Sequence, residues 1–150
     1  MDDLQSARRY SPSRAYGLSK LAMLMFAQEL QCRSDAAGWG ILSAAAHPGA
    51  TNTNLQSTGP KQNGETLSTR LIDASMRFSF TSQEIPQGIL PALFAATSPD
   101  AAPGAYYGPD GFLELTGAPH RASVPKLAKN PADDARLWTV SEELTGVRFP

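Results

Sequence analysis

The sequence holds a single cysteine, Cys32, so no internal disulfide can form and the chain suits a reducing cytoplasm. A lone cysteine in an ordinary soluble composition is expected to be a buried or half-buried thiol. No run of about 18 apolar residues is present to span a bilayer as a helix. The opening MDDLQSARRY has no apolar stretch of the kind a signal peptide needs. Neither sign of charge dominates: 13 Lys and Arg face 14 Asp and Glu, for a formal net charge of -1. Composition therefore points to neither nucleic acid nor an anionic membrane as a partner. Internal repeats and low-complexity tracts are missing. His120 has no second ligand at useful spacing, so no metal is expected.

With 150 residues, 41% of them hydrophobic and 18% charged, the chain is read as one domain at most, with one core and no separate second domain. Its 12 prolines and 12 glycines gather at 48–60, 103–119 and 146–150, which marks loops between elements. The clearest helix is predicted from Ser13 to Gln31, with Ser13 as N-cap. Its apolar stripe is Leu21, Leu24, Ala27 and Leu30, flanked by Met25 and Phe26. Gly38 and Gly40 bracket Trp39 as a turn. Ile41–Ala46 is then small and apolar throughout, as in a strand covered on both faces, and Pro48-Gly49 ends it.

Beyond that strand, one amphipathic helix is expected near 66–78. Thr81 and Glu84 have capping-box spacing before another helix that runs to Thr97. Pro86 falls in its first turn, and Pro91 should kink it. A short strand at Ala105–Tyr107 precedes the turn Gly108–Gly111. The last helix starts after Asn130, with Pro131 at its first position, Asp133 and Asp134 at the positive end of its dipole, and Gly146 as its C-terminal cap.

Two residues carry chemistry. Tyr16 and Lys20 are four apart, so on a helix they share one face about one turn apart. A neighbouring ammonium favours a phenolate and lowers a tyrosine's pKa. Moving it from about 10 toward 7 takes about 4 kcal/mol of differential stabilisation. Such a tyrosine serves as a general acid or base near neutrality. The spacing alone describes an ordinary surface pair equally well.

Context narrows the choice. Tyr16-Gly-Leu-Ser-Lys20-Leu-Ala22 resembles the active-site helix of the short-chain dehydrogenase/reductase family. The approach through Asp2-Asp3-Leu4-Gln5 and Tyr10-Ser11-Pro12 is similar to its retinol-dehydrogenase-like branch. So are His47-Pro48-Gly49 with Thr53, the segment Tyr106–Gly111, and Leu137-Trp138 with Glu142–Gly146. These segments occur in family order along nearly the whole chain. The resemblance implies an α/β fold, the C-terminal part of a Rossmann-type doubly wound parallel sheet whose N-terminal strands are absent. It implies NAD or NADP as cofactor and a small carbonyl or alcohol as substrate.

The resemblance also assigns roles. Tyr16 would exchange a proton with the substrate oxygen. Lys20 would tune Tyr16 and bind the nicotinamide ribose. Pro48 and Gly49 would let the backbone pass close to the nicotinamide, with the Thr51 backbone and Thr53 hydroxyl near its carboxamide. His47 is read as part of the strand end.

The family's Gly-rich turn, G-x-x-x-G-x-G, does not occur in these residues, and its active-site serine and asparagine fall before Met1 by the branch's spacing. The chain by itself is therefore expected to be poorly stable and inactive, and to need a longer sequence or a complementing chain. A homo-oligomer is the other partner expectation. Two further readings are an extended-family epimerase or dehydratase, which also uses Y-x-x-x-K, and a truncated non-catalytic paralogue that binds other subunits.

Overall fold

A computed structural model describes residues 3–51 and 82–149. The helix expected at 66–78, Thr81 of the capping box, and Thr53 lie outside the described residues. Two compact units are present: Met1–Ala45 with Ala102–Tyr106 and Ser123–Pro150, and Ala46–Ala101 with Tyr107–Ala122.

The first unit is built on a long helix, α1 (Pro12–Ala37). Its N-cap is Ser11 and not Ser13: Ser11 is extended, and Pro12 takes the first helical position, where its missing N–H costs nothing. The helix also runs six residues past Gln31 and closes at Gly38 in the left-handed conformation, φ 67°. Its apolar stripe stops earlier because polar side chains hold the last turns. Gln31 Oε1 accepts the Ser43 N–H at 2.7 Å, and the Ser34 hydroxyl pairs with both the N–H and the carbonyl of Ile41 at 3.0 Å.

Those same contacts correct the expected strand. Only Ala45–Ala46 (β1) is extended into a ladder, while Ile41 and Leu42 are 41% and 49% exposed. The Ile41 N–H and carbonyl and the Ser43 N–H are committed to α1 side chains, and of these two residues only the Ser43 carbonyl meets the neighbouring segment, accepting the Gly104 N–H at 2.8 Å. Among the described residues the strand order is β1-β2-β3, with β1 at one end. Cys32 faces solvent, contrary to the expectation of a buried thiol.

The last helix, α4 (Pro131–Thr145), forms as its caps predict. The Asn130 side chain accepts the Ala132 N–H, Pro131 opens the helix, and Gly146 closes it at φ 70°. It packs on α1, and Leu24, Met25, Ala128 and Leu137 make the buried cluster of this unit. Trp138 of α4 stacks on Phe26 at 4.8 Å and 8°, with the Arg33 guanidinium 4.5 Å from its ring. The indole N–H donates to Glu142 Oε1 at 2.9 Å, which holds that carboxyl below its usual range.

Asp133 behaves as expected at a helix start, accepting from Asn130 Nδ2 at 2.8 Å. Asp134 does not, being only 5% exposed. Burial pushes its carboxyl up, and the nearby charges of Glu29 and Asp133 add to that. A carboxyl raised in the fold stabilises fully below its unfolded value and loses that contribution as pH rises through the folded value. Asp134→Asn is therefore expected to raise the melting temperature at neutral pH by a few degrees and to leave it unchanged in acid. Thermal scans across that range check this; an equal shift at both ends would mean the charge is not the cause.

The strand β2 (Tyr106–Pro109) enters the second unit at Tyr107, and from there pairs antiparallel with β3 (Pro119–Arg121), with Gly108 opposite His120. The strand β3 replaces the loop that its prolines suggest. The connection includes one 3₁₀ turn at Phe112–Glu114, in which Leu113 and Glu114 have φ of 53° and 57°. On the β1 side, His47 donates its N–H to the Tyr107 carbonyl at 2.9 Å. Two short helices, α2 (Ile85–Gly88) and α3 (Leu90–Thr97), stand where one kinked helix is expected. Pro91 has no N–H for the preceding turn, so the helix divides at Ile89.

Candidate active site

The helix α1 places Tyr16 and Lys20 on one face, with the lysine Nζ 5.6 Å from the centroid of the tyrosine ring. Tyr16 is 58% exposed, so its ring is not a core residue. Its hydroxyl makes no hydrogen bond, and the Lys20 ammonium meets no carboxylate, among the described residues. The result is a free proton donor beside an uncompensated cation. The cavity of about 320 Å³ in this unit is lined by Leu4, Tyr10, Ala15, Leu18 and Leu144, among others, on a neighbouring face of α1. Neither Tyr16 nor Lys20 lines it.

In the second unit, residues 47–51 form a loop that is closely packed from several sides. Gly49 adopts φ 62°, and a Cβ there would collide with the Leu115 carbonyl oxygen and lie 2.8 Å from Pro109 Cγ. A Cβ on Gly108 would strike the His47 ring, and one on Gly88 would strike the Thr51 side chain. The Thr51 hydroxyl donates to the Pro48 carbonyl at 3.0 Å, and the Ala50 N–H donates to Leu115 O at 2.8 Å.

His47 serves this loop. Its Nδ1 accepts the Gly49 N–H at 3.3 Å, and its Nε2 lies 3.5 Å from Glu114 Oε2. Burial lowers its pKa, and Glu114 opposes that shift. His120 is not solitary: its Nε2 is 3.9 Å from Glu114 Oε1 and its Nδ1 is 3.0 Å from the Gly108 carbonyl. Among the described residues no group of side chains is arranged to hold a metal ion.

Pro48, Gly49 and Thr51 thus lie together in one loop, while Tyr16 and Lys20 lie together on α1. Sequence reasoning missed Gln83, Leu115 and Glu114, which fix the loop from 32 to 67 residues away along the chain. No local pattern marks them.

Comparison with known proteins now bears on what this geometry belongs to. No family model matches the chain. Mouse retinol dehydrogenase 12 is 32% identical over 150 residues, 98% of this chain and 41% of that protein. Human retinol dehydrogenase 13 is 31% identical over 153 residues, 99% and 42% respectively. A short chain dehydrogenase/reductase of Gibberella zeae is 30% identical over 128 residues, 85% of this chain and 33% of that protein. The crystal structure of an uncharacterized protein from Mycobacterium paratuberculosis matches with a TM-score of 0.70 at 32% identity, covering 99% of this chain and 45% of the other. The chain belongs to the short-chain dehydrogenase/reductase family, in its retinol-dehydrogenase-like branch, and carries the C-terminal part of that α/β fold. It spans about two fifths of the length of the curated relatives it matches.

Proposed function

We propose that this chain supplies the proton-transfer half of an NAD(P)-dependent oxidoreductase that interconverts a small carbonyl compound and its alcohol. The observation that carries the reading is the Tyr16 phenol beside the Lys20 ammonium on an exposed helix face, both without a polar partner among the described residues. Retinol dehydrogenases among the relatives support an oxidoreductase. The residues present fit a nicotinamide cofactor: a cation for its ribose that meets no carboxylate among the described residues, and a closely packed loop in which Pro48 is exposed. That cofactor, when bound, supplies or accepts the hydride.

The chain's own residues manage the proton. In reduction the Tyr16 O–H gives its proton to the substrate oxygen as the carbon receives the hydride; in oxidation the phenolate takes the proton back. The Lys20 ammonium, 5.6 Å from the centre of the Tyr16 ring, would hydrogen-bond the ribose. By the family resemblance Pro48 and Gly49 would admit the nicotinamide ring, and Thr51 and Thr53 would serve its carboxamide.

Adenosine and pyrophosphate contacts require a Gly-rich strand-turn-helix, which these 150 residues do not contain. Calorimetric titration with NADH and NADPH checks this. The chain alone should show no saturable binding at micromolar levels. The completed protein, with the remaining part of a relative placed ahead of residue 1, should bind one of them. Micromolar binding by the chain alone would locate the cofactor elsewhere.

A further inference from the structure

The side chain of Gln83 is 9% exposed and lies against the loop that the preceding reading turns toward the nicotinamide. Its Nε2 donates to the Pro48 carbonyl at 2.8 Å, and its Oε1 accepts the Gly117 N–H at 3.1 Å. The amide has only one sensible orientation, because the Pro48 carbonyl can only accept and the Gly117 N–H can only donate. Its backbone N–H donates to the Ala50 carbonyl at 2.8 Å, and Gln83 and Thr51 form a parallel bridge. A single residue thus holds Pro48, Ala50 and Thr51. Through Gly117 it ties them to the segment whose Leu115 carbonyl receives the Ala50 N–H.

The loop needs such a clamp. Glycine has the widest choice of backbone conformations, and Gly49 sits at φ 62° in the middle of it. A loop that must present backbone groups to a planar ring gains affinity by being held in advance, since ordering it on binding costs conformational entropy. An apolar residue at 83 would fill the same space, yet would leave the Pro48 carbonyl with only the Thr51 hydroxyl as donor and take the Gly117 N–H's acceptor away.

We infer that Gln83 is a positioning residue for the nicotinamide end of the cofactor, an inference that rests on the oxidoreductase reading above. It touches neither cofactor nor substrate and acts through the loop 47–51. The test measures affinity for NADH and for ADP-ribose, or their 2′-phosphorylated counterparts, in the completed protein. ADP-ribose lacks only the nicotinamide, so it separates that end from the rest.

Gln83→Ala is expected to weaken NADH about tenfold, the effect of one or two lost hydrogen bonds, and to leave ADP-ribose unchanged. Gln83→Glu is nearly isosteric and keeps the acceptor for Gly117, but cannot donate to Pro48 when ionised; it should reproduce the selective loss if the alanine variant does not fold. Equal weakening of both ligands, or unchanged NADH affinity, would overturn the inference. Lys20→Ala separates the two claims, since loss of a ribose contact should weaken both ligands. If it does and the Gln83 variants bind normally, the clamp is wrong and the oxidoreductase reading stands. If it weakens neither, the reading falls and the inference with it.

Discussion

In the completed protein, Tyr16→Phe is expected to lower turnover by about 10²–10⁴-fold, the usual loss when a positioned general acid or base is removed. The ring stays and only the hydroxyl goes. Since that hydroxyl has no hydrogen-bond partner among the described residues, folding should not register the change. Cofactor dissociation should also be close to that of the parent. Lys20→Ala is expected to differ, because on the proposed reading the ammonium serves both the tyrosine and the ribose: turnover should fall and cofactor binding weaken together. Steady-state kinetics with calorimetry on the two variants distinguishes these patterns. A Tyr16→Phe enzyme with near-normal turnover would remove the acid/base role, whatever the family.

Gly49→Ala is expected to cost about 2–4 kcal/mol of stability, from a left-handed residue with a Cβ and a collision that the surroundings cannot relieve. The atom in the way is the Leu115 carbonyl oxygen, already fixed by the Ala50 N–H, so moving it breaks a second contact. Gly38→Ala is the control. It has φ 67°, almost the same backbone, but nothing within 4 Å of the added carbon. Only the conformational term remains there, about 1–2 kcal/mol. Urea denaturation of both variants decides between them. Equal losses would show that the loop is not packed against Leu115 as described.

These expectations draw on features that differ in how far sequence reveals them. The helix α4 was legible because each end carries its own chemical mark: Asn130 and Pro131 at the start, Gly146 at the finish. Tyr16 and Lys20 were legible for a similar reason, since four-residue spacing fixes their relation once the helix exists. The start of α1 was misplaced by two residues because Ser11 and Ser13 are equally good caps, and only Pro12 chooses between them. Its end was misplaced because Gln31 and Ser34 break the apolar period while facing inward to hold Ser43 and Ile41. That same capture shortened the strand expected at Ile41–Ala46 to two residues.

The strand β3 gave no signal. Its register follows from a turn in which Leu113 and Glu114 take positive φ without being glycine, and from Asp110, whose Oδ1 accepts the Ala118 N–H at 2.8 Å. His120 therefore shows no neighbour by spacing along the chain, and only that turn sets it beside Glu114. Gln83 is the furthest case. Its partners Pro48 and Gly117 lie 35 and 34 residues away along the chain, and neither periodicity nor composition joins them. Local chemistry was readable; long-range clamps were not.

The most direct test of the central claim follows the hydride and the proton in one turnover. The completed protein is mixed with a carbonyl substrate and NADH or NADPH carrying deuterium at the transferred position, and the alcohol is examined by mass spectrometry. The parent should place deuterium on the former carbonyl carbon, while Tyr16 delivers the proton to the oxygen. Under the same conditions Tyr16→Phe should bind cofactor normally and yield labelled alcohol at least about a hundredfold more slowly. Label transfer at the same rate in both proteins, or an alcohol without deuterium from the parent, would contradict the account.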